Sequence, residues 1–283
     1  MAIWLLYKLR PFNVRGPVQL AMRESWDSHI HRAEELASER GEVKELLTFY
    51  GKLLGVQKQV YEYLRSREGW LPSGSLGQDL CIVRLMLHTL LEVVETSGPA
   101  ALAEQAHSLR LASEAEMDEM LLEYWSAPTD VHFFAKAFLQ PYARWLAEIG
   151  AKPIDRNLES GENRCPFCMG KPQLSLLKSQ ETDSEAGGRN LFCSTCLTVW
   201  PFRRVVCANC GEERPTRLAY FHTPEYDHVR VEACDTCKHY IKGIDLTKFG
   251  LAVPLVDEVA AAPLDLWARE RGYEKIELNL VGL

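Results

Sequence analysis

Eight of the nine cysteines fall in one stretch as four Cys-x-x-Cys pairs: Cys165/Cys168, Cys193/Cys196, Cys207/Cys210 and Cys234/Cys237. Thiolate sulfur is a soft ligand, and two residues between cysteines let one tight turn present both sulfurs to the same ion. Each pair supplies half of a tetrahedral site, so the pattern predicts two four-thiolate metal sites. Tetrahedral sulfur suits zinc and equally a single iron, and the expected cofactors are two metal ions, iron or zinc.

Spacing suggests which pairs join. Cys165 to Cys207 is an offset of 42 residues and Cys193 to Cys234 one of 41, with arms of 24 and 23 residues inside the two units. One unit of about 40 residues is therefore used twice. Sequential pairing puts Cys165, Cys168, Cys193 and Cys196 in site one, and Cys207, Cys210, Cys234 and Cys237 in site two. The interleaved alternative joins outer pairs and inner pairs, as in some chaperone zinc domains. Those carry glycines after each pair, and here only Gly170 and Gly211 stand near such positions. A disulfide framework belongs mainly to secreted chains, whereas the apolar run at Met1 is followed, not preceded, by Lys8 and Arg10. Four pairs in so short a stretch also fit no single βαβ redox motif.

Each unit reads as two metal turns joined by a β-hairpin, a zinc-ribbon or rubredoxin-like arrangement. In unit one Leu174–Leu177 and Asn190–Phe192 flank the polar arm Ser179 to Arg189; in unit two Arg217–Phe221 and Val229–Val231 flank a turn. So small a unit buries little core, and metal should supply much of its folding energy. His239, two residues after Cys237, is a candidate replacement ligand, but four cysteines already complete that site. Trp200, Phe202, Arg203 and Arg204 lie between the units, where they either pack the units together or form a contact surface.

The elements that must carry these sites come before and after them. Leu46, Leu47, Tyr50, Leu53, Leu54, Val60, Tyr61 and Leu64 follow helical spacing, with Gln57 on the same stripe; Gly51 and Gly55 suggest close helix packing. The stripe Leu76, Leu80, Val83, Leu87, Leu90, Leu91 and Val94, widened by Cys81, Leu85 and Met86, predicts a central bundle helix, with Cys81 in the core and His88 a core or boundary residue. Helices follow at about 99–110 and 113–126, the second capped by Ser113. The acidic cluster Glu114, Glu116, Asp118, Glu119 and Glu123 reads as a solvated face. Thr129-Asp130 opens a further helix with Val131, Phe134, Phe138, Tyr142, Trp145, Leu146 and Ile149 on one stripe, which Pro141 should kink or break. Gly150 to Asn163 reads as a linker. A final helix with Pro263 inside it runs from Val253 to Gly272.

The predicted fold class is therefore α+β: an N-terminal all-helical domain (1–155), two tandem rubredoxin-like or zinc-ribbon metal modules (156–250, divided at about 160–203 and 204–250), and a C-terminal helix and tail (251–283) packing on the body. The 283 residues, 47% hydrophobic and 25% charged, are those of an ordinary globular protein, and no apolar run approaches the roughly 20 residues of a membrane span. Reduced, metal-bound thiols place the chain in the cytoplasm. The net charge is −7, and residues 160–250 hold 12 Lys+Arg against 11 Asp+Glu. Two loaded sites lower the formal charge further by about 4 units, which leaves no electrostatic footprint for a nucleic acid. No Walker loop, Gly-x-Ser-x-Gly or His-Glu-x-x-His occurs, so no enzyme is expected.

Arg189 to Gly211, with its Cys-Ser-Thr-Cys-Leu-Thr-Val-Trp core, and Val231-Glu-Ala-Cys-Asp-Thr-Cys-Lys-His-Tyr resemble the formate dehydrogenase accessory proteins of the FdhE type. Arg32 to Gln57 and Val256 to Tyr273 resemble that family's N-terminal helical region and C-terminal helix. The resemblance implies a non-catalytic cytoplasmic maturation factor for formate dehydrogenase, with the molybdenum- or tungsten-carrying catalytic subunit as partner. It also implies rubredoxin-like sites, with iron as the metal, on Cys165, Cys168, Cys193, Cys196, Cys207, Cys210, Cys234 and Cys237. A homodimer stays open. Met169 and Val199 depart from the family pattern, which has Gly and an acidic residue at the matching places. The alternatives from other classes are a rubredoxin-like electron-transfer or redox-sensing protein and, on the charge count weakly, a zinc-ribbon nucleic-acid binder.

Overall fold

The computed structural model describes residues 25–129, 131–178 and 188–283. The apolar run at Met1, Asp130 and most of the polar arm, 179–187, lie outside them. Among the described residues seven α-helices come first: α1 (Trp26–Glu39), α2 (Lys44–Ser66), α3 (Leu76–Val83), α4 (Leu87–Ser97), α5 (Ala100–Arg110), α6 (Glu114–Ser126) and α7 (Phe133–Ile149). Strands β1 (Pro172–Lys178), β2 (Gly188–Cys193), β3 (Val199–Phe202), β4 (Leu218–His222), β5 (Val229–Cys234) and β6 (His239–Asp245) follow. Helices α8 (Pro254–Ala260) and α9 (Ala262–Glu270) and the short β7 (Glu274–Lys275) complete the chain.

In α2 the periodic residues from Leu47 to Leu64 are buried as their spacing predicts, Leu46 is half-buried, and Phe49 and Val56 widen the stripe. Gly51 lies against α1: a Cβ there would stand 3.7 Å from that of Ala33, while Gly55 faces open space. Ser113 caps α6 in a full capping box with Glu116. Arg84 answers the acidic cluster, meeting Glu114 at 2.8 Å and Asp118 at 2.7 Å.

Three helical expectations change. The 76–94 stripe is not one central helix: a 3₁₀ turn at Arg84–Met86 divides it, and Cys81, Leu85 and His88 are exposed. The central helix is α7, in which every residue from Phe134 to Ala147 is buried. It starts at Phe133, which leaves Val131 outside it and exposed, and its last residue, Ile149, is exposed as well; it continues through Pro141. Proline has no N–H to offer the carbonyl of Ala137, four residues back; the Gln57 amide donates to that carbonyl at 2.8 Å instead, so the helix keeps its bonding where a break is expected. Pro263 likewise sits in the first turn of α9, a position proline favours, and the expected single C-terminal helix is two, parted at Ala261.

The six longer strands form one sheet in the order β3-β2-β1-β6-β5-β4. Each unit is a three-stranded antiparallel meander. The units join through parallel pairing of β1 with β6, Leu174 opposite Lys242 and Leu176 opposite Ile244. β3 and β6, which follow the second pair of each unit, complete hairpins to which the spacing alone assigned only two strands each. β7 pairs with the start of β6.

Buried polar bonds fasten the three regions together. Arg32 of α1 and His228 beside β5 both bond Asp257 of α8, at 2.8 and 2.9 Å. Lys136 of α7 reaches Glu277 in the tail at 2.5 Å. The 150–163 stretch is itself docked: Asp155 accepts from the Trp125 indole at 2.7 Å and from Ser75 at 3.0 Å. Behind the sheet, Lys242, Lys275, Glu258 and Asp265 form a wholly enclosed ion cluster, with Asn279 and Tyr240 also bonded to it.

Candidate metal centres

The structure gathers the cysteines into two groups, Cys165, Cys168, Cys193 and Cys196 in one and Cys207, Cys210, Cys234 and Cys237 in the other, with all four sulfurs of each group within 4.8 Å of one another. This is the sequential grouping. In the first group Cys165 Sγ lies 3.5 Å from Cys196 Sγ, and Cys168 Sγ 3.5 Å from Cys193 Sγ. The matching separations in the second are 3.7 and 3.8 Å. A tetrahedron with metal–sulfur bonds of about 2.3 Å has edges of about 3.8 Å, whereas a disulfide needs about 2.05 Å. The donor set fits a tetrahedral ion in both places; thiolate sulfur alone does not choose between iron and zinc.

Local backbone geometry explains the fit. The residue after each pair, Met169, Leu197, Gly211 or Lys238, has φ between 58° and 75°, so all four turns close through a left-handed residue. In three of them its N–H returns to the carbonyl of the first cysteine: Met169 to Cys165 at 2.9 Å, Gly211 to Cys207 at 3.1 Å and Lys238 to Cys234 at 2.9 Å. Met169 therefore holds the same conformation as Gly211, and its departure from the glycine pattern leaves the turn intact at a cost of about 1–2 kcal/mol. Gly170 fills a tighter role: a Cβ there would stand 2.9 Å from the Thr195 hydroxyl and 3.1 Å from Cys193 Sγ.

The two groups differ in surroundings. All four sulfurs of the first are buried, whereas Cys210 is exposed and Cys237 half-exposed in the second. Gln140 of α7 donates to the carbonyl of Ser194 at 2.8 Å, and Gln57 donates to Gln140 at 3.0 Å, so a buried amide relay runs from α2 to the Cys193 turn. The Thr198 hydroxyl lies 3.1 Å from Cys196 Sγ, and once that sulfur is a thiolate only the hydroxyl can donate. Burial pushes the Cys193 and Cys196 thiols up; at Cys168 burial acts the same way but the neighbouring thiols, as hydrogen-bond donors, outweigh it. In the second group burial raises Cys207 and Cys210. Cys237 is held down to about 7, because bonds from the His239 backbone and the Asn209 side chain overcome its burial. Binding an ion here must displace protons, so affinity rises with pH.

Other singled-out residues find their places. The His239 ring nitrogen Nδ1 meets the carbonyl of Cys237 at 2.7 Å, so the imidazole braces the turn rather than joining the sulfurs. Trp200 is buried, its indole donating to Glu162 at 3.2 Å, and Phe202 lies under the Arg189 guanidinium. Arg203 bridges the units through Glu162 and Glu213, and Arg204 is exposed. Sequence reasoning missed Gln140 as a support of the first group; the signal was a glutamine inside an otherwise apolar run, directly before the proline of its helix.

Comparison with known proteins places this arrangement. The family model described as "FdhE, C-terminal domain" matches residues 205–281, the second cysteine group and the C-terminal segment. A protein FdhE homolog from Aquifex aeolicus is 35% identical over 198 residues, 69% of this chain and 68% of that protein. One from Haemophilus ducreyi is 26% identical over 96% of this chain and 92% of its own length. The crystal structure of the FdhE protein from Pseudomonas aeruginosa superposes with a TM-score of 0.65 at 22% identity, covering 93% of this chain and 98% of that one, a likeness of fold. With the paired cysteines gathered as they are, the chain belongs to the FdhE family.

Proposed function

We propose that this protein is a non-catalytic accessory factor for the maturation of a formate dehydrogenase, binding the catalytic subunit that carries the molybdenum or tungsten cofactor, with two thiolate-bound metal ions holding its binding surface in shape. The observation that carries the reading is family membership combined with two four-cysteine groups set into one sheet. Cys165, Cys168, Cys193 and Cys196 would hold one ion and Cys207, Cys210, Cys234 and Cys237 the other. Each ion would supply cross-linking energy, and iron would add a reversible one-electron change. The chain's own residues fix the sulfurs, brace the turns and, through Gln57 and Gln140, tie the first group to the helical body. The protein works in the cytoplasm on this reading, where thiols stay reduced.

The test is capture of the formate dehydrogenase catalytic subunit by the tagged full chain, repeated with Cys207→Ser/Cys210→Ser. The wild-type chain should capture the subunit and the variant should lose it; capture of equal strength by both refutes the role of the second centre, and no capture by either refutes the accessory reading. A second reading, electron transfer or redox sensing, draws on one feature: Cys210 is exposed and the N–H groups of Asn209 and Cys210 point at Cys207 Sγ, at 3.4 and 3.5 Å. A zinc-only protein excludes it; reversible bleaching of an iron–thiolate band supports it.

A further inference from the structure

Beside the second cysteine group the sheet leaves a groove of about 430 Å³, floored by β4, β5 and β6 and walled by the segment Val205–Ala208. Its apolar rim is unusually bare: Tyr220 is 66% exposed and Val205 51%. Its charged lining is one-sided. Arg189, Arg204 and Arg230 face it against the single carboxylate of Glu232. Glu232 is already in use, accepting from Arg230 at 2.7 Å, from Arg189 and from Ser175 at 2.9 Å. Burial opposes its ionisation, but the Arg189 and Arg230 charges outweigh that and keep it anionic. The Arg189 side chain is only 3% exposed and is held in place, donating to the Arg203 and Val206 carbonyls at 3.2 and 2.8 Å and to Glu232. Among the described residues Arg204 makes no ion pair. The groove thus holds, among the described residues, a surplus of two guanidinium charges, and guanidinium is the side chain best shaped to grip a carboxylate.

The loaded thiolate centre would carry negative charge, and Cys207 and Cys234 line one end of the groove. Arg230 lies four residues along β5 from Cys234, about 13 Å at ~3.3 Å per residue, whereas Arg204 precedes Cys207 by only three residues. The Arg230 end of the groove, away from Cys234, is therefore the anion end.

The bordering strand points to the shape of the occupant. β4 is a sheet edge, and among the described residues it pairs only with β5. The opposite edge, β3, carries Pro201, which lacks an N–H and guards against pairing; Leu218–His222 has no such guard. An open edge beside a groove is the arrangement that receives an extended segment, whose backbone completes the sheet while its alternate side chains enter the groove.

We infer that this groove docks an extended acidic segment of the partner polypeptide, with a carboxylate against Arg204 and Arg230 and an apolar side chain between Val205 and Tyr220. The inference rests on the accessory reading above for the partner's identity, but not for the chemistry. The probe is a fluorescein-labelled peptide of alternating Glu and Val, with a Lys and Val peptide as control, titrated into the metal-loaded full chain and read by anisotropy. The acidic peptide should bind and the basic one should not. Arg204→Glu and Tyr220→Ala, both at exposed positions, should each weaken binding at least fivefold without changing metal content. Equal affinity for the two peptides, or undiminished binding by Arg204→Glu, overturns the proposal, as does stronger binding of a single-stranded oligonucleotide at the same arginines. A dimer that dissolves on Tyr220→Ala, with no peptide binding, also overturns it and assigns the edge to a second copy. Capture of the catalytic subunit separates this inference from the reading it rests on. Undiminished capture by Arg204→Glu and Tyr220→Ala sinks the groove alone, while failure of the wild-type chain to capture the subunit sinks the accessory role and leaves the peptide result to decide the groove.

Discussion

Replacing Lys242 by Met probes the enclosed ion cluster, which unites the second unit with the C-terminal segment. Lys242 Nζ stands 3.0 Å from Glu258 and is also bonded to Asp265, while Lys275 bonds Glu258 and lies 3.2 Å from Asp265; all four side chains are fully buried. Two cations and two carboxylates balance. Lys242→Met leaves two carboxylates sharing one lysine with no water to screen them, a break that costs about 3–5 kcal/mol in buried pairs. With an unfolding entropy of ~2.1 cal/mol/K per residue, that corresponds to a fall in Tm of about 5–8 °C for a chain of this length. Adding Asp265→Asn restores the balance, because Glu258 and Lys275 remain paired and the amide oxygen can still accept from the Tyr240 hydroxyl, which meets Asp265 at 2.8 Å. The double variant should therefore be more stable than Lys242→Met alone. Urea titration of wild type, both single variants and the double gives the coupling energy directly. A loss below about 1 kcal/mol in Lys242→Met, or additive single effects, would refute the reasoning that charge balance inside the cluster sets its worth.

Acid should act through Asp257. Burial pushes its carboxyl up, but the His228 and Arg32 bonds outweigh burial and hold it below the usual carboxylate value. A depressed folded-state pKa means the unfolded chain binds more protons, so this stabilisation is whole above about pH 4 and lost as pH falls below it. Thermal melts of Asp257→Asn should show a flatter dependence below pH 4 than wild type. Lys238 has φ 58° and also pairs with Asp235 at 2.6 Å, so Lys238→Gly is compared with Lys238→Ala, which loses the same pair but keeps the strain; after glycine's own entropic cost Lys238→Gly should be the more stable by about 0.5–1 kcal/mol. Denaturant midpoints of the loaded variants check it, and Lys238→Gly no more stable than Lys238→Ala would count against that strain. Metal removal should be stepwise: with Cys210 exposed and the first group wholly buried, a chelator should empty the second centre first, and iodoacetamide should then mark Cys210 and Cys237 before any cysteine of the first group. Mass spectrometry of alkylated peptides reads the order.

Much of the candidate site was legible because its information is local. A Cys-x-x-Cys turn needs no distant partner to be recognised, and the near-equal offsets announce a duplicated unit, which the sheet repeats as two meanders. Ser113 and Glu116 are equally local and cap α6 as read. What failed depended on partners far along the chain. Pro141 predicts a break unless Gln57, 84 residues earlier, donates to the freed Ala137 carbonyl. Cys81 reads as core from apolar neighbours, yet the bundle's covered side is decided by α7, and Cys81 faces outward. β3 and β6 were missed because the residues that follow a metal turn look like connector until a neighbouring strand gives them a ladder. The open edge of β4 and the arginines beside it are legible only once the strand order is known.

The claim on which the rest depends is that two separate four-thiolate centres form from consecutive pairs. The measurement is the metal-to-protein ratio of anaerobically purified chain in two variants. Cys165→Ser/Cys196→Ser removes ligands from one group and should lower the ratio from two to one; Cys165→Ser/Cys234→Ser cuts into both groups and should lower it toward zero. The interleaved arrangement predicts the opposite, with Cys165→Ser/Cys196→Ser losing both ions, and that result, or a wild-type ratio of one or less, would contradict the account.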